Sequence, residues 1–196
     1  SREITPFIAE RINITIDNQI VIFHDDDLNR LCNKKERIEE VTYDFLKDLK
    51  LYESDEKIPL LKELLVEISG KIPLVIEIKK HKNIGILENK LVDLLENYKG
   101  KYLICSFEKD ILFWFKKNKP NLKRGLIFES NPKKFEKYNK TLFLYKYYKI
   151  KPDFISLDYK LLESSIYDFC KRKNLQIISW TIRDKKNYEK IKTKVD

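Results

Sequence analysis

Two short stretches carry the side chains best suited to acid–base and phosphate chemistry. In IVIFHDDDLNRL, Ile20 to Leu31, an apolar run ends in His24 and Asp25. A histidine beside a carboxylate can be held in one tautomer, which frees its other ring nitrogen to exchange a proton near neutral pH. In KIPLVIEIKKHK, Lys71 to Lys82, the two-residue period of a strand sets Leu74, Ile76 and Ile78 on one face, with Val75, Glu77 and Lys79 on the other. An acid and a base two apart on a buried strand must be paired or must hold a ligand, because either alone is costly out of water. Paired, they would plug one end of a sheet. Liganded, Glu77 would hold a hard divalent cation while Lys79 held a phosphate. His81 follows in a lysine-rich stretch and is expected at the surface, with no part in the chemistry.

Strands must deliver these residues, and the chain is rich in strand-like runs. INITI, QIVIF, IPLVIEI, KYLICSF, RGLIF, PDFISLDY and LQIISWTI alternate with amphipathic segments. The latter are TYDFLKDLKL, LLKELLVEIS, NIGILENKLVDLLENY, KDILFWFKKN, SSIYDFCKRKN and DKKNYEKIK. Alternation of this kind, with nearly continuous apolar strands, predicts a parallel sheet flanked by helices, either closed as a barrel or doubly wound. No glycine-rich phosphate loop follows any strand, which weighs against a nucleotide-binding version. Asp17 and Asn18 alone separate the first two strands, a pair suited to the left-handed angles of a tight hairpin. The strand that ends at His24 reads as buried on both faces, with its C-terminal tip opening onto the site.

At 196 residues, the length fits one domain over 1–196. With 42% hydrophobic and 36% charged residues, the composition is that of a folded chain, not a disordered one. No apolar run approaches the roughly 20 residues of a membrane span. Cys32, Cys105 and Cys170 match neither a zinc spacing nor a disulfide framework, so a reduced, cytoplasmic chain is expected. The net charge of +9 favours an anionic partner. Its densest basic run, KKNKPNLKR, reads as a solvated helix end and loop, so nucleic acid is not the expected partner.

The order of motifs ITIDNQIVIFHDDDLNRL, EEVTYDFLKDLKL, KIPLLKELL and PLVIEIKK resembles the glycerophosphodiester phosphodiesterase family. ICSFE and NLQIISWTIRDKKNYEKI extend the resemblance over nearly the whole chain, from about Ile12 to Asp196. It implies an α/β fold, a (β/α)8 TIM-type barrel whose first and last strands are missing or truncated in this sequence. It implies hydrolysis of small-molecule glycerophosphodiesters to glycerol 3-phosphate and an alcohol, with a divalent cation, Mg²⁺ or Ca²⁺. By the same resemblance His24 is one of two acid/base histidines, Glu77 a metal ligand and Lys79 a phosphate contact. Trp180 and Phe107 line the substrate pocket. The family's opening His-Arg-Gly strand has no counterpart, and Ser1 to Glu10 reads as the remnant of the helix after it. Ala9 and Arg11 stand where the family carries an acidic pair that supplies two further metal ligands. That departure keeps open an alternative, a catalytically impaired barrel that binds phosphoesters.

Overall fold

The computed structural model describes residues 8–52, 54–182 and 184–195. The chain divides after Ile104 into two compact units.

In the unit before the division, β1 (Ile8–Ile14) is the middle strand between β2 (Ile20–Ile22) and β3 (Leu74–Ile78). It pairs in parallel with β3, placing Arg11 opposite Glu77 and Ile12 opposite Ile78. It pairs antiparallel with β2, placing Ile12 opposite Ile22. β-branched and leucine side chains at Ile12, Val21, Leu74, Ile76 and Ile78 are almost wholly buried, so burial holds this register. Residues 8–10 lie in β1, which corrects the helix remnant expected over Ser1 to Glu10; residues 1–7 of that stretch lie outside the described residues. In the hairpin only Asn18 takes the left-handed conformation, at φ 59°. Asp17 instead accepts from the Thr15 hydroxyl at 2.6 Å and from the Tyr43 amide at 3.0 Å, tying the turn to the segment beyond.

Between β2 and β3 run α1 (Asn29–Cys32), a 3₁₀ turn (Ile38–Glu40), α2 (Tyr43–Leu46) and α3 (Leu61–Ile68). TYDFLKDLKL yields only the single turn of α2, capped by the Thr42 hydroxyl, because Leu46 is its one buried residue. A helix that short needs more tertiary contact than one side chain offers if it is to propagate. The loops still bury Leu28, Ile38, Leu46, Ile58 and Leu60 against Val21 and Phe23, a satellite core directly beneath the segment that carries His24.

α4 (Ile86–Glu96) begins where Glu88 accepts the Gly85 amide at 2.6 Å. Its other oxygen lies 3.0 Å from His81 Nε2, and the two side chains are 4% and 0% exposed for His81 and Glu88. His81 is therefore buried, against the expectation of a surface residue. The Lys79 carbonyl, 2.9 Å from Nδ1, holds the second ring nitrogen. Burial works against the imidazolium, yet Glu88, the Lys79 carbonyl and the charge of Glu39 outweigh it and raise the His81 pKa above its ordinary 6.5. The resulting stability is fully present below the unfolded value and is lost as pH rises through the folded one. Urea unfolding of the wild type should therefore lose free energy above pH 6.5 relative to His81→Gln. Parallel pH profiles for the two proteins would exclude the clamp.

β4 (Tyr102–Ser106) contains the division. The second unit alternates α5 (Lys109–Asn118), β5 (Arg124–Phe128), α6 (Glu136–Ile150), β6 (Phe154–Asp158), α7 (Ser165–Arg172), β7 (Gln176–Trp180) and α8 (Lys185–Ile191). β5, β6 and β7 pair in parallel in that order, and the helices close over Leu126, Phe128, Phe143, Ile155, Leu157 and Ile177. This is the strand–helix alternation expected, with α6 as an addition the sequence reading did not contain.

Candidate active site

β2 runs antiparallel to β1, as the Asp17–Asn18 hairpin predicts, so the tip that carries His24 returns along β1 and does not end a parallel strand. The hairpin carries the chain back along β1 and leaves His24 just after Phe23, whose amide donates to the Arg11 carbonyl at 2.9 Å. Asn13, nearly buried on β1, donates to the Phe23 carbonyl at 2.9 Å and the Asp25 carbonyl at 3.2 Å. One amide thus grips the backbone on both sides of the histidine. His24 Nδ1 lies 2.5 Å from Asp25 Oδ1, and Arg30 donates to the same carboxylate through Nε at 2.7 Å and a terminal nitrogen at 3.0 Å. The Arg30 guanidinium foremost, with His24, holds the Asp25 carboxyl below the usual carboxylate range against the opposing effect of burial. A carboxylate that stays ionised assigns the Nδ1 proton to that contact and leaves Nε2 to exchange protons with a ligand. The ring is half exposed, so a ligand can reach it.

Glu77 and Lys79 share a face of β3, as their spacing predicted, and they are paired: Lys79 Nζ lies 2.9 Å from Glu77 Oε1. The contact is ionic more than directional, since Oε1 has no partner in hydrogen-bond geometry. The second carboxylate oxygen is taken as well, by Arg11 Nε at 3.1 Å. Arg11 was read only as a departure from a motif; what joins it to Glu77 is the strand register, which sequence spacing does not contain. On the same face β1 offers Ala9 and Asn13, while alternation sends Glu10 to the other face. Two fixed cations therefore surround one carboxylate, a net charge of +1.

That arrangement does not fit the divalent cation expected at Glu77. Hard cations take several oxygen ligands, and no group of three His, Cys, Asp or Glu side chains able to hold a metal occurs among the described residues. A divalent ion about 4 Å from a guanidinium is repelled by about 8 kcal/mol at an effective dielectric near 20. Charge balance here favours an anion.

Trp180 and Phe107 meet in the second unit, edge to face with centroids 5.7 Å apart. Trp180 lines a cavity of about 390 Å³ together with Asp158, Lys160, Thr181 and Asp184. Its indole Nε1 is buried without a hydrogen-bond partner, leaving a donor for an acceptor on a ligand. Both aspartates are spoken for by turns: Asp158 accepts the Lys160 amide at 3.0 Å and Asp184 the Asn187 amide at 2.8 Å. Cys170 offers no nucleophile, because burial pushes its thiol up to about 12.

Comparisons with known proteins point one way. The sequence model of the Glycerophosphoryl diester phosphodiesterase family matches residues 11–196. A glycerophosphodiester phosphodiesterase of Caldanaerobacter subterraneus subsp. tengcongensis is 29% identical over 200 residues, covering 94% of this chain and 77% of that protein. Among solved structures, a glycerophosphodiester phosphodiesterase from Parabacteroides distasonis aligns with TM-score 0.74 at 25% identity, over 96% of this chain and 76% of that one. A phosphodiesterase from Oleispira antarctica, solved in complex with the product sn-glycerol-3-phosphate, aligns with TM-score 0.81 at 20% identity, over 98% and 78%. At that identity the likeness is one of fold.

Proposed function

Because the chain belongs to the Glycerophosphoryl diester phosphodiesterase family, whose fold class is the α/β TIM-type barrel, we propose that it hydrolyses glycerophosphodiesters to glycerol 3-phosphate and an alcohol. The observation that carries the reading is the His24–Asp25–Arg30 relay. His24 Nε2 moves the proton to or from the ester oxygen, and Asp25 fixes the ring and stabilises its imidazolium. Lys79, a fifth exposed beside Glu77, offsets charge on the non-bridging oxygens. Within the second unit, the edge-to-face pair of Phe107 and Trp180 offers an apolar wall with one free donor, the indole Nε1. A divalent cation would contribute Lewis-acid stabilisation, but the described residues do not assemble a place for it, and no step here runs through one.

The pairing of Glu77 on both oxygens favours a second reading, a barrel that binds phosphoesters without turning them over. Release of glycerol 3-phosphate from glycerophosphocholine separates the two. Enzyme-dependent release is expected. Binding of glycerol 3-phosphate with no release from several glycerophosphodiesters would leave the binding reading. No helix among the described residues is long and apolar enough to cross a membrane. We propose a reducing, cytoplasmic setting, a reading that the three cysteines, matching no disulfide framework in sequence, support.

A further inference from the structure

We infer that Arg11 is a substrate-binding residue whose guanidinium, with the Lys79 ammonium, holds the phosphate oxygens of the ester, so that ester binding requires no divalent ion. The inference deepens the proposed function and rests on it. Three observations carry it, all within the first unit. The register of β1 against β3 puts Arg11 directly opposite Glu77. Glu77, only 12% exposed, holds Arg11 Nε at 3.1 Å and Lys79 Nζ at 2.9 Å, so one nearly buried carboxylate orients two cations. The Arg11 side chain is 37% exposed, so the guanidinium that Glu77 anchors through Nε still reaches solvent.

The chemistry suits a phosphoester. A guanidinium has five N–H donors in a planar fork that matches the oxygens of a phosphate, and it stays charged at every working pH. Lys79 adds a compact point charge beside it. The pair carries +2 against the −1 of Glu77, and an anion bound there brings the cluster toward neutrality. A divalent cation would take the cluster from +1 to +3. The remaining face-sharing residues on β1, Ala9 and Asn13, supply no acid to offset that.

The test uses the full chain freed of metal. Binding of sn-glycerol 3-phosphate is measured by calorimetry in chelator and again with millimolar Mg²⁺ or Ca²⁺. Equal affinity in all three conditions is expected. Arg11→Gln should weaken it by about 10- to 100-fold, as for loss of a charged hydrogen-bonding partner, and Arg11→Lys should restore part of it. Affinity that appears only when the divalent ion is added overturns the inference, and so does an Arg11→Gln protein that binds as the wild type does. Should Arg11→Gln fail to fold, the chelator comparison on the wild type decides alone. The two readings fail separately. Turnover that requires added cation with Arg11 indifferent sinks this inference and leaves the hydrolase. Chelator-resistant, Arg11-dependent binding without turnover sinks the hydrolase and supports the inference.

Discussion

Replacing His24 with alanine lowers turnover of glycerophosphocholine by about 10²- to 10⁴-fold, the range for loss of a positioned general acid or base. The loss falls on kcat, since the ring is assigned to the proton and not to the phosphate charge. The chain has only two histidines, and it cannot recruit the other. His81 has one ring nitrogen beside Glu88 and the other beside the Lys79 carbonyl, in a buried cluster at the start of α4. Folding is unaffected in the variant, because the His24 side chain is about half exposed and Asp25 keeps both of its bonds to Arg30. Steady-state kinetics with a circular dichroism control measures this. An alanine protein within a few-fold of wild type would remove His24 from the chemistry.

Glu77→Gln destabilises the protein by about 1–3 kcal/mol, below the 3–5 typical of a fully buried pair broken from one side because Arg11 is partly solvated. The substitution is close to isosteric, so no cavity forms. What is lost is the charge that neutralises Arg11 on one side and Lys79 on the other. As Glu77 pairs with side chains, the loss measured by urea unfolding is the same in chelator and in millimolar Mg²⁺. A metal ligand behaves otherwise: the wild type would gain stability from the ion and the variant would not. Such an ion-dependent gap between the two proteins would return Glu77 to the cation site that its position in the sequence first implied.

The seven strand-like runs were legible because apolar clusters bounded by polar turns are a local signal: six contain a strand of the structure whole, and INITI holds the last three residues of β1, which begins at Ile8. α6 was not legible. Phe143, Leu144, Tyr145, Tyr147 and Tyr148 crowd its second half and wrap its circumference, so no single apolar face stands out. The burial of His81 is hidden for a related reason. Its immediate neighbours are lysines, whereas its burial is made by Glu88, seven residues on and inside the next helix. At the site, His24 with Asp25 and Glu77 with Lys79 were readable from spacing of one and two residues. Arg11 was visible only as a residue out of place. Its role depends on a pairing between strands that the sequence holds far apart.

The Arg11–Glu77 pairing also bears on how β1 and β3 find each other. Both strands are rich in isoleucine, whose burial on one face sets the register, and the charges on the other face add to that discrimination. In the observed alignment Arg11 faces Glu77, with Glu10 opposite Ile76 and Ile12 opposite Ile78. A slip of one residue in one direction sets Glu10 against Glu77, two carboxylates across a ladder, while a slip in the other leaves Glu77 facing Ile12, with Lys79 as its remaining cation. The same guanidinium that would greet a phosphate in the finished protein therefore acts earlier as a proofreading device, rejecting misaligned sheets before any ligand arrives.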